Sequence, residues 1–159
     1  MQLDIVYDHL DFIVLNKPEG VSFHSEDGPG FVVQAEAVLG YKLFSVHRLD
    51  KATSGLLLFA KSSHVAHLLS EAFLSKEVKK FYLAISTRKP KKKQGWVKGD
   101  MAPSRRGSYK LLHTKNAPAI TQFITAPLNE GERLFLLKPH TGKTHQLRVA
   151  LKSLGSPIA

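Results

Sequence analysis

Short strand-like runs dominate this chain, and they come as neighbours rather than alternating with helices. LDIVY and FIVLN flank a DHLD turn, and Lys17-Pro18-Glu19-Gly20 closes the second of them. Gly55–Ala60, GLLLFA, has the compact apolar look of a buried strand. KKFYLAIS adds another, and SYKLLH, AITQFIT and RLFLLKP follow in the second half. Three segments carry helical spacing instead. Phe31, Ala35, Val38 and Leu39 share one face of a helix over 31–39 that Gly40 stops. Val65, Leu68, Leu69, Ala72 and Phe73 form a stripe over 63–75, with Ser62 or Ser63 as N-cap. Leu147, Ala150, Leu151 and Leu154 form the last stripe, in HTGKTHQLRVALKSLG, with Gly155 as the C-terminal stop. Runs of adjacent strands with few helices predict an α+β fold: a mixed, mainly antiparallel sheet with flanking helices, in one domain over 1–159.

Charge is distributed unevenly. The net charge is +10, yet residues 76–115 hold 13 Lys or Arg against Glu77 and Asp100, so the rest of the chain sums to −1. A near-neutral protein with one basic stretch predicts a local surface for a polyanion. Pro90, Gly95 and Pro103 interrupt the stretch, which excludes a single amphipathic helix lying on a membrane. A solvated basic loop is the plainer alternative. The absence of cysteine excludes a disulfide framework, a thiolate metal site and a cysteine nucleophile. The opening residues lack the basic start and long apolar run of a secretory leader, and no stretch is long enough to span a bilayer. A cytoplasmic protein is the expectation.

Two polar segments stand out as candidates for chemistry. His47-Arg48-Leu49-Asp50-Lys51-Ala52-Thr53-Ser54-Gly55 precedes the GLLLFA strand directly, so Asp50 sits on a loop held by a rigid element. Its cationic neighbours Arg48 and Lys51 favour the carboxylate form. Spacing alone favours the simpler role of an Asp closing a turn. The second segment is His140-Thr141-Gly142-Lys143-Thr144-His145-Gln146-Leu147-Arg148. Gly-Lys-Thr invites a nucleotide-loop reading, but Leu137 stands where that loop needs its first Gly, so the reading is rejected. As a helix start, Thr141, Gly142 and Lys143 would offer free N–H groups to an anion. His145 and Arg148 would then lie away from the apolar stripe, an ordinary polar face on spacing alone. In Lys79-Lys80-Phe81-Tyr82 lysines interleave with aromatics, as base stacking requires, although a half-buried edge strand explains the same pattern. His64 and His67 lack a third ligand nearby in sequence, so no metal is expected.

Taken together, these segments resemble the RluA branch of the pseudouridine synthases. HRLDKATSGLLLFAKS resembles the signature around that family's essential aspartate. KFYLAI resembles its tyrosine motif, TGKTHQLRVAL its third motif, and DFIVLNKPEGVSFH its first strand and Lys-Pro-x-Gly turn. The resemblance runs from Asp4 to Ile158. It implies that Asp50 is the catalytic aspartate, that Tyr82 stacks on the target uracil and that Arg148 pairs with the aspartate. It also implies substrate contacts from Arg48, which the family sets near the flipped base, and from His47, Thr53, Lys143, His145 and Leu147. Ala150 departs from the pattern, which usually has His there. The chain also stops at SLGSPIA, where relatives continue with a Gly-Asp turn and further strands, so a C-terminal part of the domain is expected to be missing.

The activity implied is isomerisation of specific uridines in ribosomal or transfer RNA, with no cofactor and no metal, by a monomer that binds structured RNA. Breaking the ribose–nitrogen bond and forming a carbon–carbon bond requires a base flipped out of its stack. The competing expectation is an inactive or incomplete RNA-binding module of the same fold, which would need none of Asp50, Tyr82 and Arg148. A hydrolase using Asp50, a His and Ser54 is weakly supported, because no nucleophile-elbow pattern is present.

Overall fold

The computed structural model describes residues 2–26 and 28–159, and its contacts group the chain into two compact units, Met1–Val78 and Lys79–Ala159. In the first unit the order is β1 (Ile5–Asp8), β2 (Phe12–Lys17), α1 (Phe31–Leu39), β3 (Phe44–Ser45), β4 (Gly55–Ala60) and α2 (Ser63–Leu74). The strands form one antiparallel sheet in the order β1-β2-β4-β3. Side chains alternate between faces of a strand, so pairing Ile13 with Phe59 and Leu15 with Leu57 puts all four on one fully buried face. Phe23 and Phe31 stack on Phe59 from the same core. Gly40 takes a left-handed conformation (φ 81°) and returns its N–H to Glu36 O, ending α1 at the residue the sequence predicts. Ser62 accepts from Val65 N–H and caps α2.

Two expected core positions are exposed: Val38 of α1 and Leu68 of α2, each about half accessible. The helices cover a small sheet whose outer strand β3 has only two residues. Neither apolar stripe finds enough surface to bury its full width.

The second unit contains β5 (Tyr82–Ser86), β6 (Gln94–Gly99), β7 (Met101–Pro103), a short 3-10 turn at Arg105–Gly107, β8 (Tyr109–Leu111), β9 (Ala119–Pro127), β10 (Arg133–Pro139) and α3 (Gln146–Ser153). β5-β10-β9-β6 form a four-stranded antiparallel sheet, and β7-β8 form a separate hairpin. Val97, Phe123, Phe135 and Leu137 from one sheet face meet Ala150 and Leu151 of α3 and Leu154 at its C-cap in a buried cluster. After α3, Gly155 (φ 74°) lets its N–H reach Lys152 O and that of Ser156 reach Leu151 O, which stops the helix. The fold is thus α+β, and every strand pairing among the described residues is antiparallel.

The basic stretch 76–115 contains β5 and β8, which the sequence predicts, and also β6 and β7, which it does not. In β6 Val97 points into the core while Trp96 and Lys98 point out. That is period-two alternation, obscured in sequence by the lysines and glycines around it.

Candidate functional site

The acidic turn of the first unit is fixed from several sides. Thr53 N–H donates to Asp50 O at 3.0 Å and closes the turn. The next carbonyl, Lys51 O, accepts from Gly20 N–H at 2.7 Å and from Lys17 Nζ at 3.3 Å. Leu49 is buried, Asp50 is half-buried and Arg48 is exposed. His47 anchors the loop at its start. Its Nε2 accepts the Leu58 N–H of β4 at 2.9 Å, and its ring stacks on Phe73 of α2 at 4.6 Å. The imidazole thus provides an acceptor to a strand whose outer neighbour β3 is too short to reach it, with the proton on Nδ1. The structure brings His47, Arg48, Asp50 and Thr53 together on one loop.

Sequence reasoning missed Lys17 in this unit. Its side chain is fully inaccessible, and its ammonium donates to Pro18 O (2.9 Å), Val21 O (2.8 Å) and Lys51 O (3.3 Å). Burial pushes its pKa down from the usual lysine value, and the negative charge of Asp50 pushes it back up. The row Ile13-Leu15-Lys17 on β2 contained the signal, because period two puts Lys17 on the core face.

In the second unit the approach to α3 differs from expectation. The helix begins at Gln146, so Thr141, Gly142 and Lys143 precede it as a turn. Lys143 N–H is not available to an anion, since it donates to Gln146 Oε1 at 3.0 Å. Gln146 is buried and organises the whole turn. Its Oε1 also accepts from Thr141 Oγ1 (2.6 Å), and its Nε2 donates to Ile120 O (3.0 Å) and Thr121 Oγ1 (2.9 Å). A glutamine four residues before Ala150, on the apolar row of α3, was the legible signal. His145 precedes the helix in a left-handed conformation (φ 55°), sparsely populated for a side-chain-bearing residue, with its ring edge-on to Tyr109 at 5.9 Å.

Tyr82 and Leu147 border the same buried cluster, Tyr82 from β5 opposite Leu137 and Leu147 from α3. Arg148 is exposed on the polar side of that helix. The neighbouring Lys80 has its pKa lowered by burial. On the opposite face of the sheet Phe81, Trp96, Ile124 and Leu136 line an open groove of about 580 Å³, with Lys138 over the Phe81 ring and Lys98 over Trp96. Tyr82 and Phe81, adjacent in sequence, therefore serve opposite faces.

The basic stretch is mostly solvent-facing: Lys89, Lys91, Lys92, Lys93, Lys98, Arg105 and Arg106 are exposed. An ion pair joins Lys61 and Asp8, outside this stretch. Asp100, one of its two acids, is occupied by Thr114 Oγ1 (2.7 Å) and the N–H groups of Asn116 (3.0 Å) and Ala117 (2.8 Å). The Thr114 hydroxyl and then these N–H groups hold its carboxyl below the usual aspartate value, and Lys143 adds to the effect. A lowered folded pKa contributes stability that is present above the ordinary aspartate range and is lost as pH falls through the folded value. Acidification through that window is expected to loosen residues 112–117, read as faster proteolysis there, while Asp100→Asn should show no such pH step. No helix among the described residues is long and apolar enough to cross a membrane, and no trio of His, Asp or Glu side chains among them is placed to hold a metal ion.

This antiparallel α+β fold has solved counterparts. A human structure, RNA pseudouridylate synthase domain containing 1, superimposes with a TM-score of 0.84 at 27% identity, over 99% of this chain and 67% of that one. The family model described as RNA pseudouridylate synthase matches residues 11–153. An uncharacterized RNA pseudouridine synthase of Haemophilus influenzae is 49% identical over 99% of this chain and 71% of its own length. Ribosomal large subunit pseudouridine synthase C of Rickettsia bellii is 36% identical over 97% of this chain, which spans 54% of that relative. The chain belongs to the RNA pseudouridylate synthase family, in its RluA-type branch.

Proposed function

We propose that the protein isomerises uridine to pseudouridine in structured RNA, with Asp50 as the catalytic carboxylate. Ribosomal RNA is the leading substrate, on the name of the Rickettsia relative, and transfer RNA the second. The observation that carries the reading is the anchoring of the Asp50 turn: Lys51 O is held by Gly20 and Lys17, and His47 is held by Leu58 N–H. A carboxylate that must attack a flipped nucleoside, or take a proton from it, gains from such fixed placement. Tyr82 would stack on the uracil, worth about 1–3 kcal/mol for a base–aromatic contact, and Arg148 would serve as the cationic partner of the carboxylate. Both roles rest on the match to the family's motifs. His47, Arg48, Thr53, Lys143, His145 and Leu147 complete the proposed substrate contacts. The reaction as proposed uses no cofactor or metal and takes place in a monomer in the cytoplasm.

Incubating the protein with ribosomal and transfer RNA and mapping pseudouridine by base-resolution chemistry tests the proposal directly. RNA binding without any isomerised uridine would favour the binding-module reading instead. Affinity is expected to depend on the exposed lysines of the basic stretch. Lys91→Glu, Lys92→Glu and Lys93→Glu together should weaken binding about 10-fold or more at moderate salt and flatten the dependence of affinity on salt concentration. An unchanged salt slope in a filter-binding titration would remove these lysines from the interface.

A further inference from the structure

The face of the β5-β10-β9-β6 sheet turned away from α3 carries side chains that the core does not use. Gln122 lies opposite both Lys138 and Trp96 in the strand register, and Phe81, just before β5, extends this row past Lys138. The row Phe81-Lys138-Gln122-Trp96 thus crosses all four strands, with an aromatic ring at each end, about 14 Å apart at the usual strand spacing. Phe81 is 61% and Trp96 43% exposed. Both border the open groove on this face. Each ring has its own ammonium: Lys138 Nζ is 5.6 Å from the Phe81 centroid, and Lys98 Nζ is 4.9 Å from that of Trp96. His140 supports the Trp96 end. Its ring packs against the indole at 5.0 Å and its Nε2 is 3.3 Å from Gln122 Oε1, so indole and amide are held in place.

Two exposed rings, each with a lysine beside it, and an amide between them match the parts of an unpaired polynucleotide: flat bases, phosphates, and base edges with donors and acceptors. The charge agrees. None of the four strands contains Asp or Glu, and Lys91-Lys92-Lys93 leads directly into β6. An acidic peptide would neutralise the lysines but offers no flat surface to both rings. We propose that this face is a second RNA surface, on which a short single-stranded segment stacks bases on Phe81 and Trp96 and sets phosphates against Lys98 and Lys138. The inference rests on the proposed function for its ligand class. The surface lies on the sheet face opposite Tyr82, so the segment it holds is not the reacting nucleotide. It grips strand without selecting a base, because every base has a π face to stack.

Trp96 is the only tryptophan of the chain, so its fluorescence reports this face. The full chain is titrated with a short oligocytidylate, which is unstructured and offers the catalytic face no uridine. The emission is expected to be quenched saturably, with an affinity that falls as salt rises. Phe81→Leu keeps the apolar bulk and removes the ring. It should weaken binding about tenfold, the scale of one lost base–aromatic stack, at matched circular dichroism. Lys98→Gln and Lys138→Gln together should flatten the salt dependence, which gives a second reading that leaves both rings in place. Absence of quenching would overturn the inference, as would an unchanged affinity in Phe81→Leu or an unchanged salt slope in the lysine variant. An emission change driven by protein concentration alone would also overturn it and assign the face to a second copy of the chain. Isomerisation is not read here, so the two failures are distinct: a protein that isomerises uridine without this quenching refutes the second surface alone, and one that is quenched but isomerises nothing refutes the proposed function alone.

Discussion

Asp50→Asn should abolish pseudouridine formation, by on the order of 10⁴-fold or more, while RNA affinity stays within about twofold. Asparagine has the same shape and keeps the backbone of the turn, in which Thr53 N–H bonds to the Asp50 carbonyl rather than to its side chain. What disappears is the negative charge, and both routes open to the carboxylate, attack on the nucleoside or removal of a sugar proton, require it. Binding as proposed draws on the exposed lysines and arginines of 76–115, which the substitution does not alter. Removing an acid slightly favours association with a polyanion. An isomerisation assay beside a filter-binding titration on one RNA therefore separates the two quantities. Turnover by the Asn variant close to that of the parent would make Asp50 a turn residue and nothing more.

The second large effect is expected at Gln146. Gln146→Leu deletes both acceptor contacts that gather Thr141 Oγ1 and Lys143 N–H and both donor contacts that tie the turn to Ile120 and Thr121 of β9. Thr121 is itself buried, so its hydroxyl loses a partner where water cannot easily replace it. A loss of about 3 kcal/mol is expected, because four bonds in one network fail together and leave buried groups unpaired. The damage should be local as well as global. Lys143 N–H should exchange with solvent much faster in native-state hydrogen exchange, and the strained conformation of His145 should relax. Unchanged protection at Lys143 and an unchanged denaturation midpoint would show that the backbone holds the turn without the glutamine.

Gln146 and Lys17 illustrate which residues a linear reading misses. Both are polar residues on apolar rows, one on a helix and one on a strand. Composition reads them as surface residues, and only their periodicity hints otherwise. By contrast Phe31–Leu39 and Gly55–Ala60 were legible to the residue, because a glycine stop and a compact apolar run are local signals. The start of α3 was not. Thr141-Gly142-Lys143 continues the helical stripe upstream on paper, but the turn that displaces it is stabilised by Ile120 and Thr121, some twenty residues away.

The sequence alone therefore determined the strand-rich α+β class, the bounds of the elements with local stops, the basic stretch and the family to which the acidic loop belongs. Each of these is written in neighbouring residues, in alternation, capping and motif order. Only the tertiary structure decided that His47 completes β4 in place of a strand, that the ammonium of Lys17 is buried beside the Asp50 turn, and that β6 runs through the basic stretch. It also decided that Val38 and Leu68 stay exposed. Those outcomes depend on which groups meet across the fold and on how much surface a small sheet has to offer. A buried donor settles on whichever acceptor the packing brings within reach, and that pairing is not encoded at any single position along the chain.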